Sequence, residues 1–196
     1  MKNETEKLKG SLEIICGSMF SGKSEELIRR MKRAEFAKLP AIVFKPAVDS
    51  RRGINLVTSH NGFSVNSTPI SNPKEIVNLS AQKIVVGIDE VQFFPKEIIN
   101  VICTLVESGK RVIAAGLDLD FRGVPFGTMP TLMAIADTIT KLKAICMDCG
   151  NEAHFTQRLV SGQPARYHDP IIMLGAEEKY QARCRNCYKI DTYPTF

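Results

Sequence analysis

Short unbroken apolar runs alternate along this chain with stretches whose apolar residues recur at helical spacing. Leu12-Glu13-Ile14-Ile15-Cys16 reads as a buried strand, and residues 25–34 as a helix with Leu27, Met31 and Ala34 on one stripe. After a break at Leu39-Pro40, Ala41-Ile42-Val43-Phe44 predicts a second buried strand, which Lys45-Pro46 ends. Residues 49–53 form a polar loop, and two β-type runs, 54–59 and 63–66, flank Asn61-Gly62 as a hairpin would. Pro73 opens a short helix to Leu79, and residues 83–88 form a hydrophobic strand that runs into Asp89-Glu90. From Pro95, residues Ile98, Ile99, Ile102, Leu105 and Val106 mark a helix that stops at Gly109; strands follow at 111–116 and 138–145. Strands alternating with helices predict an α/β fold with a parallel sheet flanked by helices.

A chain of 196 residues has room for one such core and a small appendage. We expect a polar tail over 1–10, a nucleotide-binding α/β domain over 11–144, a second small domain over 145–190 and a short tail over 191–196. Residues 1–9 lack the apolar stretch of an export signal, and no apolar run reaches membrane-spanning length, so we expect a cytoplasmic protein without a membrane partner. The formal charge of +5 is mild and dispersed. It suits small polyanions and gives only weak support to nucleic-acid binding, so no nucleic-acid partner is expected.

Chemistry concentrates first between the opening strand and helix. Gly17-Ser18-Met19-Phe20-Ser21-Gly22-Lys23-Ser24 has the G-x-x-x-x-G-K-S pattern of a P-loop. Its backbone N–H groups cradle nucleotide phosphates at a helix N-terminus, its lysine neutralises the outer phosphates and its serine helps to hold Mg²⁺. Asp89-Glu90 ends a hydrophobic strand, and ligands gather at the carboxyl ends of parallel strands. Asp89 would therefore hold Mg²⁺ and Glu90 would accept a proton, although Asp-Glu also suits a solvated turn. Residues 116–127 are too rich in Gly, Pro and acid for regular structure, yet include Phe121 and Phe126, which fit either a pocket wall or a cap on the core.

Of six cysteines, Cys146, Cys149, Cys184 and Cys187 form two C-x-x-C knuckles, whereas Cys16 and Cys103 sit in apolar runs and read as core. Two knuckles complete a Cys₄ zinc site, structural because no coordination position stays open; thioredoxin-like redox chemistry is the lesser alternative. The zinc would staple a long loop, 150–183, without obvious secondary structure. Its apolar run and Tyr180 suggest a cover that keeps water from a phosphoryl-transfer site.

Taken together, these pieces resemble the type II thymidine kinases, the family of the cytosolic cellular enzyme, from about Ser11 to Lys189. The resemblance rests on Met19 to Ser24, on Asp89-Glu90-Val91-Gln92-Phe93-Phe94, and on Gly116-Leu117-Asp118 with Asp120-Phe121-Arg122-Gly123 and Pro125-Phe126-Gly127. Thr156-Gln157-Arg158-Leu159 and the two knuckles complete it. It implies a RecA-like P-loop domain with a small zinc-ribbon domain bearing a lasso loop, assembled as a homotetramer. The reaction implied is transfer of the ATP γ-phosphoryl to the 5′-hydroxyl of thymidine, with deoxyuridine as a second acceptor and thymidine triphosphate as feedback inhibitor. It makes Glu90 the general base. It puts Gly17 to Ser24, Asp49, Ser50, Arg51, Asp89, Glu90, Val91 and Gln92 near ATP and Mg²⁺. Met19, Leu117, Phe121, Phe126 and Thr156 fall near the nucleoside, together with the lasso residues Ile171, Ile172, Met173, Leu174, Gly175 and Tyr180.

Two other P-loop classes fit less of the chain. A nucleic-acid-dependent ATPase would want a basic stripe interleaved with aromatics. A GTPase would want a carboxylate for guanine, and Thr140-Lys141-Leu142-Lys143 ends in lysine instead.

Overall fold

The computed structural model describes residues 9–48, 56–58, 64–171 and 179–194. Its centre is a six-stranded sheet. In chain order the chain runs through β1 (Ser11–Cys16), α1 (Lys23–Phe36), β2 (Ala41–Pro46), β3 (Leu56–Thr58), β4 (Ser64–Asn66), β5 (Thr68–Ile70), α2 (Glu75–Leu79) and β6 (Val85–Ile88). A 3-10 turn, Val91–Phe93, leads to α3 (Glu97–Glu107), β7 (Arg111–Gly116), α4 (Met129–Ile135) and β8 (Thr138–Lys141). The main sheet has the order β5-β2-β6-β7-β1-β8, and every neighbouring pair in it is parallel.

Both faces of this sheet are covered, which is why its strands read as continuous apolar runs. Leu12, Ile14, Phe44, Val86, Ile88, Val112 and Ala114 face α2, α3 and α4, packing on Ile76, Ile98, Ile102, Leu105 and Leu132. The alternate residues Ile15, Val43, Val85, Ile113 and Ala115 face α1 through Leu27, Ile28, Met31 and Ala34. A Cβ at Gly87 would stand 2.9 Å from the Met31 sulfur and 3.4 Å from a Leu27 methyl, so glycine there lets α1 settle on the sheet. The same helix is stitched down electrostatically. Arg30 and Arg111 both bind the Glu13 carboxylate, at 2.7 and 2.6 Å, and Arg30 also donates to Thr140 at 2.9 Å.

The predicted strand over 138–145 is two strands in different sheets. The chain leaves the main sheet at Leu142, whose N–H still donates to the Cys16 carbonyl, and β9 (Ala144–Ile145) pairs antiparallel with β10 (Glu152–Ala153). The segment 150–183, expected without regular structure, contains a three-stranded antiparallel sheet instead: β11 (Phe155–Val160) between β12 (Gln163–Pro164) and β13 (Lys179–Arg183). Its central strand carries Thr156, Gln157 and Arg158, all buried, so the apolar alternation that marks a strand is missing. The helix at Met129–Ile135 and the edge strand Thr68–Ile70 are also elements that the pattern did not announce. The β3–β4 hairpin is present, while its expected Asn61-Gly62 turn lies outside the described residues.

Candidate active site

β1 ends at Cys16 and the P-loop begins with Gly17 at φ 145, where a Cβ would lie 2.3 Å from the Leu142 carbonyl oxygen. Only glycine fits a conformation so crowded by backbone. Phe20 (φ 65) and Gly22 (φ 85) also take positive φ, turning the chain so that α1 starts at Lys23. The Ser21 hydroxyl and the Lys23 ammonium both donate to the Ser18 carbonyl, at 2.8 and 2.7 Å, which closes the loop on itself. Desolvation holds Lys23 below the ordinary lysine pKa, against the pull of Glu90, Asp89 and Asp118.

Those acids come from two neighbouring strand ends. Asp89 follows β6 directly; its N–H donates to the Phe44 carbonyl and its carboxylate accepts the Ser24 hydroxyl at 3.2 Å. Burial first and the Glu90 charge second push the Asp89 carboxyl up to about 7. A buried carboxylate aimed at the P-loop serine is a fit for a divalent cation, whose charge would restore the ionised form.

Glu90 takes a left-handed backbone conformation, φ 48 and ψ 42, uncommon for a residue with a side chain. Its carboxylate accepts a hydrogen bond from the Gln92 side-chain NH₂, and the Gln92 side-chain oxygen Oε1 in turn accepts the Leu117 N–H at 3.0 Å. Gln92 is buried, and it ties the strand end at β6 to the one at β7. Gly127 passes so close that a Cβ there would be 2.5 Å from the Gln92 carbonyl. The Phe126 ring meets Phe93 edge-on at 5.5 Å.

The small unit reaches the P-loop where the Met19 N–H donates to the Thr156 hydroxyl at 3.0 Å and the Ser18 hydroxyl to the Ala153 carbonyl at 3.5 Å. Phe121 is buried under the Arg158 guanidinium, in a cluster with Phe155, Tyr188 and Ile190, and its carbonyl accepts the Tyr188 hydroxyl at 2.7 Å. Leu117 is buried beside Gln92, Ile171 is exposed, and Tyr180 lies opposite Arg158 in the β11–β13 ladder. Val91, expected near ATP and Mg²⁺, has its side chain in the hydrophobic core. Asp49, Ser50, Arg51, Ile172, Met173, Leu174 and Gly175 lie outside the described residues.

Asp118 escaped the sequence analysis as a site residue. It is buried at the end of β7 and pairs with Lys141 at 2.8 Å on the far side of the P-loop strand. The signal was present: like Asp89, it is an acid just past a hydrophobic strand, with Leu117 between it and the end of β7. Together with burial, its charge pushes the Cys16 thiol up to about 11, so Cys16 is an inert core thiol, as expected.

The four knuckle cysteines converge, with sulfur atoms all within 4.8 Å of one another. Tetrahedral Zn–S bonds of about 2.3 Å need S···S separations of roughly 3.8 Å, so only small adjustments would seat a zinc ion. Hydrogen bonds from Cys149 and Cys184, burial and the other neighbouring cysteine push the Cys187 thiol up to about 12. Ionising all four thiols this close together would take a cation among them. Ala144, Ala153 and Ala182 pack behind Cys146 and Cys184, which sets the knuckles on the ends of the β9–β10 pair and β13.

A P-loop facing two acids across the carboxyl edge of a parallel sheet, with a cysteine-clamped small sheet beside it, defines an α/β P-loop phosphotransferase. Residues 10–188 match the family model described as thymidine kinase, and the chain belongs to that family. It is accordingly a kinase, and phosphorylation of thymidine is its general chemistry. Among the described residues no helix is long and apolar enough to cross a membrane.

Proposed function

We propose that the chain transfers the γ-phosphoryl of ATP to the 5′-hydroxyl of thymidine, with Glu90 as general base. The observation that carries this reading is the Glu90–Gln92–Leu117 chain of hydrogen bonds, which holds a carboxylate from one strand end against the loop expected to line the base. A sugar hydroxyl is a weak nucleophile at neutral pH, and a carboxylate in reach accepts its proton as the new P–O bond forms and ADP departs. The P-loop amides with Lys23 and Ser24 hold the β- and γ-phosphates, and Asp89 with Ser24 would hold Mg²⁺. When bound, that ion neutralises charge on the transferring phosphoryl group. Met19, Leu117, Phe121, Phe126 and Thr156 surround the thymine ring in this reading, with Ile171 to Gly175 and Tyr180 closing on the nucleoside. The resemblance assigns Asp49 to Arg51 a role at the phosphates as well.

The family match also supports a homotetramer, feedback inhibition by thymidine triphosphate and acceptance of deoxyuridine, which lacks only a methyl group. The clustered thiols suit a structural zinc ion in a reducing compartment, so we place the enzyme in the cytoplasm. The α/β unit, 11–144, carries the nucleotide and the zinc unit, 145–190, shapes the nucleoside side.

The test is to incubate the protein with Mg·ATP and thymidine and follow both products. Thymidine monophosphate should form in step with ADP, and Glu90→Gln should fold and bind ATP while turnover falls about 10²-fold or more. ADP formed equally fast without nucleoside would point to an ATPase.

A further inference from the structure

Among the described residues, Arg158 is the largest fully buried side chain, at 0% exposure. Removing a guanidinium from water is costly unless its charge, donors and flat face are all met, and a leucine would fill the same space without that cost. Here the flat face, one donor and the charge are met by different parts of the chain. The guanidinium lies over the Phe121 ring with its carbon 3.7 Å from the ring centroid. One terminal nitrogen donates to the Pro170 carbonyl, and the other lies 3.6 Å from the Asp169 carboxylate. These partners are themselves fixed: Asp169 accepts the Arg166 N–H at 2.9 Å, and the Arg158 carbonyl accepts the Ala165 N–H at 3.0 Å.

Phe121 belongs to the loop after β7, and Pro170 immediately precedes the stretch 171–175. In the reading above, both segments serve the nucleoside, and one rigid plane touches Phe121 in the first and Pro170 at the edge of the second.

We propose that Arg158 is a positioning residue for nucleoside recognition: its guanidinium sets the plane of Phe121 and the carbonyl of Pro170 relative to each other. The proposal rests on the thymidine kinase reading and deepens it. Phe121, Pro170 and Asp169, which the Arg158 guanidinium meets, all lie outside the P-loop, so its influence is expected on the nucleoside side and not on ATP. Lysine cannot replace it, because an ammonium neither lies flat on a ring nor reaches two acceptors in a fixed fork.

Steady-state kinetics of Arg158→Lys and of the milder Phe121→Leu, with the wild-type protein alongside, test this. Zinc content and melting temperature are measured on the same samples. In both variants KM for thymidine should rise about tenfold or more while KM for ATP stays within about twofold. In the double variant the two losses should not add, because each removes the same stack. An unchanged thymidine KM in Arg158→Lys, additive losses, or both KM values rising together with a fall in melting temperature would each overturn the proposal. Should Arg158→Lys fail to fold, Asp169→Asn, which loosens the guanidinium without altering Phe121, decides by the same split. A wild-type protein that leaves thymidine untouched would bring down the kinase reading, and this inference with it.

Discussion

Asp89 shows how one side chain ties chemistry to stability. Its carboxyl is pushed up to about 7, while an unfolded chain would release that proton near 3.8. Between those values the native protein binds more protons than the unfolded one, so metal-free stability falls as pH rises from about 4 to about 7 and stays lowered above it. Asp89→Asn removes this penalty. We therefore expect the variant, in chelator, to melt above the wild type at pH 8, with the gap closing below about pH 4, and to lose turnover. Adding Mg²⁺ should narrow the gap by stabilising only the wild type. Melting curves across pH with and without Mg²⁺ check both statements.

At the scale of elements, Glu13 holds the P-loop helix in register with the sheet. It sits on β1, receives Arg30 from α1 and Arg111 from β7, and through Arg30 reaches Thr140 on β8. Burial alone would raise its pKa; hydrogen bonds and charge from Arg111 and Arg30 outweigh burial and hold it below the usual 4.5. The lowered value means that its contribution is complete above about pH 4.5 and is lost as pH falls through the native pKa. Glu13→Gln should cost about 1–3 kcal/mol at pH 7, much of it from two arginines left without their shared partner. Chemical denaturation at pH 7 and again at low pH should show that loss shrinking on acidification.

Across the whole molecule, the small sheet is held at its two ends by different forces. The cysteine cluster gathers β9, β10 and β13, and the Phe121–Phe155–Tyr188–Ile190 packing holds the sheet to the loop after β7. Phe155 and Tyr188 stack at 4.5 Å, and the Tyr188 hydroxyl donates to the Phe121 carbonyl at 2.7 Å. Stripping metal with a strong chelator should release about one zinc per chain and abolish thymidine phosphorylation, while the main sheet keeps its far-UV signal. Cys146→Ser should reproduce this without chelator. A protein that keeps full activity at zero zinc content would remove the metal from its architecture.

The sequence by itself determined the main sheet and the identity of its chemical groups. Strands buried on both faces must be apolar throughout, and α1 and α3 show their stripes, so β1, β2, β6, β7 and both helices were legible. The P-loop, Asp89-Glu90 and the knuckles were legible because their chemistry demands fixed spacings. Tertiary structure alone decided what depends on partners distant in the chain. β11 is a strand because Gln157 receives the Lys189 N–H and Thr156 the Met19 N–H, bonds that reward polar residues inside and erase the alternation from which strands are read. The 138–145 run divides between two sheets because the Leu142 carbonyl packs against Gly17. Likewise Asp118, Gln92 and Arg158 acquire meaning only when Lys141, Leu117 and Pro170 arrive beside them. Local pattern records how a segment meets solvent and core; which polar group meets which is settled only when the chain closes on itself.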